Sequence, residues 1–108
     1  PPWVPARPSS PIEQAIYDPE SRMLCGFLNG LAAHLEPSGE GWLLLSDLAE
    51  HLGLRPRVEL LAAFEKAGLR VIGKIDVRPN HPRGSDQADP LHAARAAELT
   101  SLWRLGVR

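Results

Sequence analysis

Trp42-Leu43-Leu44-Leu45 is an uninterrupted apolar run, preceded by the turn Ser38-Gly39-Glu40-Gly41 and closed by Ser46. A short run of this kind fits a buried parallel strand with both faces covered. It also fits the opening of a helix, because Leu48, Leu52 and Leu54 continue apolar spacing downstream. Its length and the glycine turn before it favour the strand. Much follows from that choice, since a strand here sits between helical patterns and a helix here starts a different fold.

Upstream, Asp18-Pro19-Glu20 reads as a helix start: Asp caps free N–H groups, Pro suits the first turn, and Glu suits the positive helix end. Met23, Leu24, Phe27, Leu28, Leu31, Ala32 and Leu35 then recur with a 3.6-residue period, and Pro37 stops the helix. Cys25 falls beside that apolar face and reads as a quiet, semi-buried thiol. Downstream, residues 47–54 read as a short helical segment broken at Gly53. Pro56 opens a helix carrying Val58, Leu60, Leu61, Phe64 and Ala67 to Gly68. Leu69, Val71, Gly73, Ile75 and Val77 alternate as a strand. Residues 79–90 are loop-like, and Asp89-Pro90 starts a short helix through Ala97. Leu99, Ser101, Trp103, Leu105 and Val107 line one side of a last strand.

The order helix, strand, helix, strand, loop, strand predicts an α/β unit. A length of 108 residues allows one domain or part of one, with folding hiding about 60–65% of the unfolded surface. Twelve Lys and Arg balance thirteen Asp and Glu, so no overall positive charge draws the chain to a phosphate backbone. Seven cations between Arg55 and Arg83 against three acids make a local basic stretch, read as solvated surface. A lone Cys25 excludes an internal disulfide and a Cys-rich zinc module, and fits a reducing, cytoplasmic setting. No apolar run reaches membrane-spanning length, so no membrane partner is expected. His34, His51, His81 and His92 lack metal-ligand spacing; His34 is placed at a helix C-terminus and His51 on a helix surface. Asp47 and Ser46 are expected to cap the segment after the apolar run, at a strand end where ligands gather in open α/β sheets.

The first eleven residues contain prolines at 1, 2, 5, 8 and 11, which forbid regular helix or central strand. Pro1-Pro2-Trp3 followed by this succession resembles class I S-adenosylmethionine-dependent methyltransferases. The likeness is to their small-domain branch, whose motif is Asn-Pro-Pro-aromatic and whose members include protein-glutamine and nucleic-acid amino-methyltransferases. The wider likeness runs from His34-Leu35-Glu36-Pro37-Ser38-Gly39-Glu40-Gly41 through Trp42–Ser46 and Arg57–Ala67 to Gly68-Leu69-Arg70-Val71-Ile72.

The resemblance implies a partial Rossmann-like α/β sheet. Trp42–Ser46 would be its fifth strand and Leu69–Val77 its sixth, with Leu99–Val107 the seventh, inserted antiparallel between them. Residues 1–17 would be a proline-rich active-site-type loop and tail, and residues 18–108 the C-terminal half of the domain. The motif's Asn, the glycine-rich cofactor turn and the ribose-binding acid would lie upstream of Pro1. S-adenosylmethionine would then be the cofactor of the whole enzyme and would not be held by this part alone.

In that family the motif holds a planar nitrogen acceptor. Here the Pro1 carbonyl would accept an N–H, Pro2 would stiffen the segment, and Trp3 would stack on the planar group. The implied activity is methyl transfer to an amide or amine nitrogen of a protein or nucleic acid. An uncovered sheet edge or face implies a homo-oligomer or a complementing N-terminal half. Two other classes compete. Leu45–Leu54 with Arg57–Ala67 resembles a helix-turn-helix followed by a wing, which requires a helix through Trp42–Leu45. A non-catalytic partner-binding module would show an ordered sheet without a cofactor cleft.

Overall fold

The computed structural model describes Pro5, residues 18–78 and residues 97–108. The loop expected at 79–90 and the short helix expected from Asp89 lie outside the described residues, except that Ala97 is helical.

Asp18 caps the first helix, but across a bend. Pro19–Ser21 forms a 3-10 turn in which Glu20 and Ser21 take positive φ of 58° and 55°. The turn brings Asp18 back over helix α1 (Arg22–His34). Its two carboxylate oxygens accept the N–H groups of Met23 at 2.9 Å and Leu24 at 3.0 Å. Those groups lack intrahelical partners in any helix, and an anion beside them also suits the helix dipole. Of the expected apolar stripe, Leu24 and Leu28 are buried, and Leu31, Ala32 and Leu35 pack against the core. Met23, Phe27 and Cys25 are exposed, so the buried stripe is narrower than the sequence pattern.

The apolar run is strand β1 (Gly41–Ser46). Helix α2 (Leu48–His51) and helix α3 (Arg57–Lys66) follow, then strands β2 (Leu69–Val77) and β3 (Thr100–Val107). The sheet order is β1-β3-β2, with β3 antiparallel to both neighbours. The described residues thus form a small α/β fold on an open antiparallel sheet of three strands. β1 and β2 therefore run in the same direction without bonding to each other, and the backbone partner of β1 is antiparallel β3 rather than a parallel strand.

Both longer helices lie on one face of this sheet. Leu24 and Leu28 of α1, Leu60 and Phe64 of α3, and Leu43, Leu45, Leu69, Trp103 and Leu105 of the strands form one core. The described residues gather around it as a compact globular body, and none of their helices is long and apolar enough to cross a membrane. α1 runs antiparallel to β1, its C-terminal turn lying on the strand's start. Gly41 permits this, because a Cβ there would fall 2.5 Å from the Leu31 side chain.

Among the described residues no helix covers the opposite face of the sheet, so β1 is buried on one side only. Leu43 and Leu45 point into the core, while Trp42 is 64% exposed and Leu44 51%. β2 adds to the bare face through a bulge between Val71 and Gly73. An extra residue reverses which side chains face which way. Leu69 and Val71 share the helix-covered side with Val107 and Leu105, but beyond the bulge Lys74 and Asp76 take that side, opposite Trp103 and Ser101. Ile75 and Val77, expected to continue the alternation of Leu69, instead stand outward at 55% and 60% exposure.

A charged clamp borders that outer face. Arg104 donates from Nε and Nη2 to the two oxygens of Glu40, both at 2.8 Å, and Trp42 Nε1 donates to Glu40 at 3.0 Å. These donors, the Arg104 hydrogen bonds first, lower the Glu40 pKa from 4.5 to about 2. A depressed carboxylate contributes stability that is present above its unfolded pKa and is lost as pH falls through the folded one. Between about pH 4.5 and 2, the wild type should therefore lose urea resistance more steeply than Glu40→Gln. Unfolding midpoints collected down that range check it, and parallel curves for the two proteins contradict it.

Candidate functional site

β1 and β2 both end at the start of β3, where Ser46 and Val77 are in register with Thr100. The N-terminal end of α1 lies at this same end of β1, since its last turn lies at Gly41. Two aligned strand ends and a helix start thus meet where ligands collect in open α/β sheets.

A polar cluster stands directly at the end of β1. The Ser46 hydroxyl donates to the Glu98 carboxylate and accepts the Leu48 N–H at 3.0 Å. Both Ser46 and Glu98 are buried. Ser46 therefore supplies the side-chain bond to the start of α2, while Asp47 has another task. Its Oδ1 accepts the Leu99 N–H at 2.7 Å, its own N–H donates to the Leu99 carbonyl at 2.9 Å, and its Oδ2 lies 3.2 Å from His51 Nε2. The last residue of β1 and the one after it thus bind the two residues before β3, which fixes the sheet end.

A cavity of about 320 Å³ opens beside the start of α1. Pro5, Ser21, Leu24 and Cys25 line one part of it, and Arg55 and Glu59 the other. Pro5 belongs to the proline-rich segment, so the described part of that segment lies at the N-terminal end of α1. Arg55 is only 5% exposed. Its Nη1 donates to Ser21 Oγ at 3.2 Å, and its Nε is buried without a hydrogen-bond partner. Burial lowers the Arg55 pKa, and the negative charges of Glu50 and Asp18 oppose that shift.

Pro1, Pro2 and Trp3 lie outside the described residues, as do His81 and His92. His34 ends α1, and its Nδ1 donates to the Gly30 carbonyl at 2.7 Å, in keeping with a helix C-terminus. Among the described residues no three His, Cys, Asp or Glu side chains come together as a metal site. The basic stretch is partly engaged inside the fold. Arg55 is buried, Arg57 binds Glu50 at 2.9 Å, and Lys74 pairs with Asp76 at 3.1 Å while lying over the Trp103 ring.

Sequence reasoning missed two buried ionisable groups. Arg55 was read with the solvated cations; its only local signal is its place between Leu54 and Pro56 after a glycine turn. Glu98 was not singled out, because its partner Ser46 is 52 residues away in the chain. Comparison with known proteins finds no matching family model, no matching curated protein and no matching solved structure.

Ser46→Ala removes both of the hydroxyl's bonds and leaves the Glu98 carboxylate buried without that donor. A loss of about 1–3 kcal/mol is expected. Urea unfolding of the variant at neutral pH checks this, and an unchanged midpoint contradicts it.

Proposed function

We propose that this chain is the C-terminal half of a class I S-adenosylmethionine-dependent methyltransferase domain. The whole domain would be a cytoplasmic enzyme that methylates an amide or amine nitrogen of a protein or nucleic acid. The observation that carries the reading is the sheet order β1-β3-β2, with an antiparallel last strand between two strands of common direction. That is the order the resemblance implies for strands five, seven and six. Two further features support it: α1 and α3 share one face, and Pro5 lines a cavity at the start of α1.

The described residues do not themselves fit the cofactor. α1 starts on Pro19-Glu20-Ser21 and α3 on Pro56, and neither start offers a glycine-rich turn for a close backbone approach. Holding S-adenosylmethionine is assigned to an upstream half, and this chain is assigned the acceptor side. There the Pro1 carbonyl takes one N–H of the acceptor, Pro2 keeps Pro1 extended, and Trp3 covers the planar group. Aiming the nitrogen lone pair matters because delocalisation makes an amide or ring amine a weak nucleophile, and alignment supplies much of the missing rate.

The bare sheet face of Trp42, Leu44, Ile75 and Val77 supports a complementing half or a second copy as its cover. It equally supports a module that only binds a partner, and catalysis separates the two. The helix-turn-helix alternative has less to stand on, since Trp42–Leu45 is a strand where it needs a helix.

Calorimetric titration with S-adenosylmethionine tests the proposal on the 108-residue chain and on the chain extended upstream by its natural coding sequence. The short chain is expected to show no micromolar binding, while the extended chain binds one equivalent and transfers labelled methyl. Trp3→Ala in the extended chain should lower kcat/KM about 100-fold. An extended chain that binds no cofactor contradicts the reading, as does micromolar binding by the short chain alone.

A further inference from the structure

We propose that the cavity between the start of α1 and the start of α3 is a binding site for a free α-amino acid, its carboxylate held by Arg55 and its ammonium by Glu59.

The argument begins with an unmet demand. A guanidinium offers five N–H donors in a planar fork, and burying it without acceptors is costly. Arg55 is 95% removed from solvent, yet among the described residues its one side-chain hydrogen bond is to Ser21 Oγ, a neutral acceptor, and its Nε has none. Among the described residues no carboxylate lies within ion-pair distance of it, although Glu50, Asp18 and Glu59 all lie near enough to act on its charge. Two of those acids have other work. Asp18 caps α1 and Glu50 binds Arg57, whereas Glu59 is exposed and forms no ion pair among the described residues. The guanidinium fork matches a carboxylate in two-bond geometry.

The remaining wall narrows the ligand class. Glu20 and Glu59 also line the cavity, and two carboxylates at one site disfavour a dianionic phosphate. A ligand that carries an ammonium beside its carboxylate turns Glu59 from an obstacle into a partner. Glu20 is already paired with Arg22 at 3.1 Å, which leaves Glu59 for that part. Leu24, Leu54 and Ala63 supply apolar wall, and about 320 Å³ exceeds what the charged groups need. An amino acid with an aliphatic side chain fits that combination. The site does not depend on methyl transfer, and it can stand or fall without the enzyme reading.

L-Leucine is a suitable probe, followed through the Nε–H resonance of Arg55 in the intact chain, assigned by its loss in Arg55→Lys. Saturable movement of that signal and of the Ser21–Leu24 amides is expected at millimolar leucine. L-Leucinamide, which lacks the carboxylate, and Arg55→Lys should each weaken binding by about 10–100-fold, the range for a hydrogen-bonded charge. Glu59→Gln, an exposed substitution that leaves the core alone, should weaken leucine while leaving 4-methylpentanoate, which lacks the ammonium, unchanged. The proposal is overturned if the Arg55 signal does not move, if leucinamide binds as well as leucine, or if Glu59→Gln has no selective effect. Tighter binding of inorganic phosphate than of leucine also overturns it.

Discussion

Trp103 is the contact through which the parts of this fold hold one another. It sits in the central strand, in register with Leu43 of β1 on one side and Lys74 of β2 on the other. Its ring meets Phe64 of α3 edge-on, with centroids 5.2 Å apart, and the cations of Lys74 and Arg57 stand over it at 4.9 and 5.4 Å. Arg57 in turn reaches Glu50 of α2. One buried indole therefore ties both outer strands and two helices to β3. Aromatic burial and cation–π contacts act together here, and the packing they fix aligns the carboxyl ends of β1 and β2.

The elements whose apolar pattern is local were legible in the sequence. Trp42–Ser46 is the strand that its run and preceding turn predict, and α3 begins directly after Pro56. The last strand buries Ser101, Trp103 and Leu105 on the predicted side. What escaped is whatever depends on distant chain. The bulge in β2 arises from pairing with β3, so the side exchange of Ile75 and Val77 cannot be read from β2 alone. The bend at Glu20 and Ser21 is hidden because positive φ there carries no glycine to announce it. Asp18 was readable as a cap but not as one acting from beyond a turn.

The candidate site divides in the same way. Ser46 and Asp47 were placed correctly at a strand end and both were expected to cap the segment after it; Ser46 bonds the start of α2, while the Asp47 side chain grips the backbone of Leu99 instead. Arg55 and Glu98 were missed because a charged residue looks solvated until its burial is known. The proposed methyl transfer and the amino-acid cavity rest on separate residues, Pro1–Trp3 for the first and Arg55 with Glu59 for the second.

A half-domain reading demands that the bare sheet face become an interior surface in the whole protein. Fluorine NMR of the chain labelled with 5-fluorotryptophan measures this at Trp42, assigned through Trp42→Phe, by the shift between light and heavy water. The account predicts a solvent isotope shift at Trp42 in the 108-residue chain that disappears when the upstream sequence is joined to it. A Trp42 signal that stays equally sensitive to solvent in the extended chain contradicts the account.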